Sequence, residues 1–96
     1  MKYNTLVRDK IPSEGGESVA RILPPAVFPY FAAKKLDEVV AEFHLNSSVE
    51  ELIDIVDIAL TLAETMGISN AEFETRRLAK REAMGTFCGR VLLEEG

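Results

Sequence analysis

The sequence predicts an all-α fold, and three observations carry that reading. Apolar residues recur at three- and four-residue spacing through the middle of the chain. Two Ser-x-x-Glu patterns, Ser48/Glu51 and Ser69/Glu72, mark helix starts. Gly67 and Gly85 stand where two apolar periods stop, and Gly accepts the left-handed geometry of a helix end. Together they predict a helical hairpin plus a third helix, in a single domain of 96 residues.

The first helix is expected from about Pro29 to Leu45. Proline is tolerated in a first turn, where its missing N–H costs nothing. Ala32, Ala33, Leu36, Val39, Val40 and Phe43 form its apolar face. After the link "HLNSS" the second helix is expected from about Val49 to Met66. The third is expected from about Asn70 to Met84, with a thin spine of Phe73, Leu78, Ala79 and Ala83. Arg76, Arg77, Lys80 and Arg81 make it basic, and Glu72 is spaced to pair with Arg76 on a solvated face.

Residues 1–29 hold all four prolines and read as extended and irregular. Two short β-like runs, Val19–Leu23 and Arg90–Leu93, offer the partners for a small two-stranded ribbon.

Composition excludes several functions. Hydrophobic residues are 47% and charged residues 28%, an ordinary globular balance. Eleven Lys+Arg against 16 Asp+Glu give a net charge of −5, which argues against nucleic-acid binding. No apolar run approaches the ~20 residues of a membrane span, and the N-terminus lacks a signal-peptide core. A soluble, cytoplasmic protein without a membrane partner is therefore expected. Cys88, the single cysteine, reads as a partly buried small residue, and His44 as a surface residue.

The second helix raises the functional question. In "EELIDIVDIALTLAE" carboxylates interrupt a run of Ile, Leu and Val. Glu50, Asp54, Asp57 and Thr61 fall on one narrow stripe, with Glu51 to one side. The apolar remainder covers roughly 220° of the helix, more than a surface helix needs. Three helices offer little to cover so wide a face, so a homo-oligomer is expected, most simply a two-fold dimer.

Glu51 and Asp54 are three apart, as are Asp54 and Asp57, so neighbours can share a cation. Hard oxygen donors without Cys or a usable His favour Mg²⁺, or else Mn²⁺. On the first helix Glu38 and Glu42 are four apart, and an antiparallel hairpin brings them opposite Glu51/Asp54. A solvated face accounts for Glu38 and Glu42 equally well, and Glu51 has a capping role available with Ser48.

Two acidic pairs on consecutive helices, together with "YNTLVRDKIP" at Tyr3–Pro12, "ELIDIVD" at Glu51–Asp57 and the ending "MGTFCGRVLLEE", resemble a known family. It is the MazG-like all-α nucleoside triphosphate pyrophosphohydrolases, relatives of phosphoribosyl-ATP pyrophosphohydrolase, in their small single-domain branch. The resemblance spans nearly the whole chain. It implies a Mg²⁺-dependent release of pyrophosphate and a nucleoside monophosphate from a nucleoside triphosphate, in a house-cleaning role against aberrant nucleotides.

By position it makes Glu38, Glu42, Glu51 and Asp54 catalytic and metal-binding, with Asp57 a further metal ligand. Arg8, Lys10 and Lys35 are the expected phosphate-binding cations. The chain departs from the family in "KLDEVVAEF", Lys35–Phe43, where Val39 replaces the middle acid. That departure leaves two alternatives: a catalytically weakened nucleotide-binding module, or a structural helical dimer whose acids are only a wet seam.

Overall fold

A computed structural model describes residues 5–10 and 20–95. It contains three helices: α1 (Phe28–Asn46), α2 (Val49–Thr65) and α3 (Asn70–Met84). The helix bounds match the sequence reading to within one residue at every end.

The ends are set by local chemistry. The chain enters α1 through a turn in which the Val27 and Phe28 N–H groups donate to the Pro24 carbonyl, both at 3.1 Å. Pro29 then lies in the first turn, where its absent N–H leaves nothing unpaired. Ser47 closes α1 in the left-handed region, at φ 52°, and its N–H reaches the Phe43 carbonyl at 2.7 Å. That geometry turns the chain back within two residues.

At the far end of α2, Gly67 adopts φ +85°. The Gly67 N–H donates to Glu64 O and the Ile68 N–H to Ala63 O, each at 3.0 Å. This double closure is a Schellman motif, and glycine suits its left-handed position. The Ser69 hydroxyl accepts from the Glu72 N–H at 3.1 Å and caps α3. Ser48 departs from that pattern: its hydroxyl donates instead to the Glu51 carboxylate, at 2.5 Å.

The core lies between α1 and α2. Ala32 and Val39 from α1 and Ile58 from α2 are buried, and Leu6, Phe28, Leu36, Ile55 and Leu62 pack around them. Val39 is the largest fully buried side chain, at 1% exposure. Leu6 joins this cluster from outside the hairpin and so draws residues 5–10 across the helices.

α3 packs on α2 alone and buries none of its own residues. The radius of gyration is 16.5 Å, against about 12.5 Å for a compact chain of this length.

Several expectations are corrected. Residues 20–23 and 90–93 are irregular, and no strand occurs among the described residues. Val19, the first residue of the expected ribbon, lies outside them. Cys88 is exposed rather than partly buried. The spine of α3 is thinner still than expected, for Phe73 is half-buried while Leu78, Ala79 and Ala83 are exposed. His44 is on the surface, as expected. Among the described residues no helix is long and apolar enough to cross a membrane.

Candidate functional site

The acids of α2 fall into two environments. Glu51 and Asp54 are half-buried, and Asp57, one turn further along, is exposed. Asp54 and Asp57 share one partner. The Arg8 guanidinium donates to Asp54 Oδ1 through Nε at 3.0 Å and through Nη2 at 2.5 Å. Its third nitrogen, Nη1, lies 2.9 Å from Asp57 Oδ2. One planar fork therefore bridges both carboxylates, an arrangement that Arg makes and Lys does not.

The hydrogen bond to Asp54, and then that to Asp57, push the Arg8 guanidinium above its ordinary value.

Arg8 is placed there by its own segment. Leu6 is anchored in the core cluster. The Thr5 hydroxyl donates to Glu38 Oε1 at 2.7 Å, and Lys35 Nζ approaches the same hydroxyl at 3.5 Å. Lys35 Nζ also lies 3.6 Å from Glu38 Oε1. Residues 5–8 thus form a strap with a polar anchor on α1, an apolar anchor in the core and a charged anchor on α2. The sequence reading missed Thr5 altogether. Its position beside Arg8 inside "YNTLVRDKIP" was the available signal.

The expected site residues are therefore only partly brought together. Arg8 joins Asp54 and Asp57, and Lys35 joins Glu38 through Thr5 and directly. Glu51 is held by Ser48. Glu42 and Lys10 are exposed. Among the described residues no three His, Cys, Asp or Glu side chains gather as a metal-binding group.

Mg²⁺ is commonly held by only one or two carboxylates and completes its shell with water and substrate phosphate. Asp54 and Asp57 each direct one oxygen at the Arg8 guanidinium, Asp54 at Nε and Nη2 and Asp57 at Nη1. Both oxygens are taken up by the guanidinium, and the larger acidic set does not converge with them.

Position 39 bears on the same question. The Val39 methyls face the core, not the acidic seam. The shallow concavity beside Glu38 is lined by Lys34, Asp37, Glu38 and Ala41, and it is open to solvent.

α2 also carries an uncovered apolar face. Leu52, Ile53 and Val56 are 43%, 45% and 57% exposed. They line a second shallow, open concavity that Asp57 borders. The wide apolar face read from the sequence is thus covered on one side only.

The chain matches no family model, no curated protein and no solved structure.

Proposed function

We propose that this chain is a Mg²⁺-dependent nucleoside triphosphate pyrophosphohydrolase of MazG-like type, acting in the cytoplasm as a homodimer. The observation that carries this reading is the pairing of Asp54 and Asp57 with one guanidinium, Arg8, on a strap whose other end lies beside Lys35. The family resemblance of Tyr3–Pro12 and Glu51–Asp57 supports it independently.

Asp54 and Asp57 would hold the cation, and the resemblance offers Glu51, on the same helix, and Glu38, on α1, to orient water. Bound there, Mg²⁺ supplies charge neutralisation of phosphate oxygens and a more acidic bound water. The chain's own cations do the rest. Arg8, Lys10 and Lys35 lie on or beside the strap and offer positive charge to a triphosphate. The half-exposure of Arg8 and Asp54, 54% and 40%, leaves them open to a ligand from solvent.

The dimer is supported by the exposed Leu52, Ile53 and Val56, which a second copy would cover. The exposed run Val91, Leu92 and Leu93 would add apolar surface to the same assembly.

A second reading has its own observation. Val39 is buried at 1% where the resemblance calls for an acid. A protein with this core keeps the nucleotide-binding outline and loses part of the catalytic set, which is the weakened binding module.

Pyrophosphate release from a panel of standard and modified nucleoside triphosphates, in Mg²⁺ and in EDTA, tests the proposal. Release from at least one member is expected in Mg²⁺, with none in EDTA. Asp54→Asn is expected to abolish it. Silence across the panel overturns the hydrolase reading, and nucleotide binding by calorimetry without turnover would establish the module instead.

A further inference from the structure

Two open surfaces of this chain match each other. On α2, Val49, Leu52, Ile53 and Val56 fall within about 100° of one another, and they are 67%, 43%, 45% and 57% exposed. The same stripe continues toward the link into α3 through Leu60, half-buried, and Ala63, buried. Only its N-terminal half is open. Three exposed acids, Glu50, Asp57 and Glu64, recur every seventh residue and so run along one edge of it.

On α3 the four cations Arg76, Arg77, Lys80 and Arg81 lie within about 140° of the circumference, and Phe73 and Met84 fall in the middle of that arc. Phe73, in the first turn, is half-buried, and every later residue of α3 is exposed, Met84 at 76%. α3 therefore parts from α2 after its first turn and carries onward a stripe that is apolar at its centre and basic at its sides. Lys and Arg lay their aliphatic stems on apolar surface while their charged heads reach a flanking acid. The acid-edged face of α2 suits such a stripe in shape and in charge.

Within one copy the divergence of α3 keeps the two surfaces apart. A twofold arrangement closes both at once, because α3 of each copy then lies on α2 of the other. We infer that the basic face of α3 docks on the open α2 face of a second copy, with Lys80 and Arg81 among the cations that meet the edge formed by Glu50, Asp57 and Glu64. The inference rests on the homodimer reading above and names the surfaces that build it. Asp57 belongs to this edge and also pairs with Arg8, so the interface begins at the candidate site.

The test is a charge exchange between two variants of the full chain, Lys80→Glu/Arg81→Glu and Glu50→Lys/Glu64→Lys. Dimerisation is followed by analytical ultracentrifugation for the parent, for each variant and for their equal mixture. All four residues are exposed, so both variants are expected to keep the helix content of the parent. Each alone is expected to dimerise about tenfold more weakly or worse, because like charges then face each other at both contacts. The mixture is expected to recover the parent affinity, since opposite charges meet again at each contact. A second readout uses the parent itself. Cys88, the single cysteine, is exposed four residues beyond Met84 and can carry a nitroxide. Mixed with an isotope-labelled copy that carries none, the nitroxide is expected to broaden the amide signals of residues 49–56 more than those of α1.

A monomeric parent overturns the docking and the dimer together. A parent dimer that both variants keep at unchanged affinity overturns the docking and leaves the dimer, as does a mixture no stronger than its components. Broadening centred away from residues 49–56 overturns the docking as well.

Discussion

The hairpin and the third helix of this chain are built by different means. α1 and α2 hold each other through buried side chains, Ala32 and Val39 facing Ile58. α3 has no fully buried residue, only the half-buried Phe73, and carries surface pairs, Arg76–Glu72 at 2.8 Å and Arg77–Glu74 at 2.7 Å. Isolated helices of this length are marginal in water. A helix with surface ion pairs, a serine cap and one neighbour is thus the most easily opened of the three. The polar seam belongs to the stable part: the strap, Glu38, Asp54 and Asp57 all ride on the hairpin. Sites that must be held in register are best placed on packed elements.

Substitutions at Val39 and Leu78 are the strongest way to break this comparison. Val39→Ala removes two buried methyl groups and is expected to cost about 2 kcal/mol. Leu78→Ala removes more atoms from a side chain that is 47% exposed, and is expected to cost no more than about 0.5 kcal/mol. Chemical denaturation of the two variants gives the difference directly. Val39→Glu goes further, because it puts an unpaired carboxylate into the core, at a cost of about 3 kcal/mol or more. That loss is expected in Mg²⁺ as well as in EDTA. A Val39→Glu variant that melts like the parent in Mg²⁺ would mean that position 39 opens on the acidic seam after all.

Val39 also marks how far the sequence can be read. Helix ends were legible because each rests on a few neighbouring residues: Pro29 in a first turn, Ser69 as a cap, Gly67 and Gly85 as stops. Local chemistry of that kind is visible without the fold. The apolar period of α2 was legible too, as a wide face. The count of apolar residues does not say which part of the face is covered, and Leu52, Ile53 and Val56 prove to be the uncovered part.

The site was legible as a list of charged residues but not as a set of pairings. Arg8 and Asp54 are 46 residues apart, and no spacing rule joins residues across that distance. Thr5 was invisible for a related reason. A threonine in an irregular segment carries no periodic signal, and its importance comes only from Glu38 and Lys35 lying beside it. The ribbon failed as an expectation on the same ground. Strand pairing is a long-range contact, and β-like runs at 19–23 and 90–93 do not by themselves bring their ends together.

The uncovered face of α2 supplies the next test, of intermediate size. Val56→Asp places a charge at a side chain that is 57% exposed, so the isolated fold should change by about 0.5 kcal/mol or less. Within a two-fold dimer the same charge meets its own copy or an apolar partner surface. Light scattering coupled to size exclusion is expected to show a dimer for the parent and a monomer for Val56→Asp. A monomeric parent would remove the dimer from the proposal and leave this face without a role. A dimeric Val56→Asp would move the interface elsewhere, with Val91, Leu92 and Leu93 of the tail as the next exposed apolar group.

The smallest expected effect sharpens the contrast from the side of α3. Arg77 donates to Glu74 through two nitrogens, at 2.9 and 2.7 Å. That paired hydrogen bond, with the added charge of Arg77 and Arg81, holds the Glu74 carboxyl below the usual carboxylate range. The folded value is thus lower than the unfolded one, so the pair stabilises α3 at any pH above the unfolded value. Its contribution is lost as pH falls through the lower folded value. The pair is fully exposed, so the effect is small and weakens with salt. Acidification across the carboxylate range is expected to speed amide exchange in α3 before it does so around Val39 and Ile58. In Glu74→Gln the early loss in α3 should be reduced, because the titrating partner is gone. If the hairpin and α3 instead open together at every pH, in parent and variant alike, the two regions form one cooperative unit, and α3 owes its stability to α2 rather than to its own surface pairs.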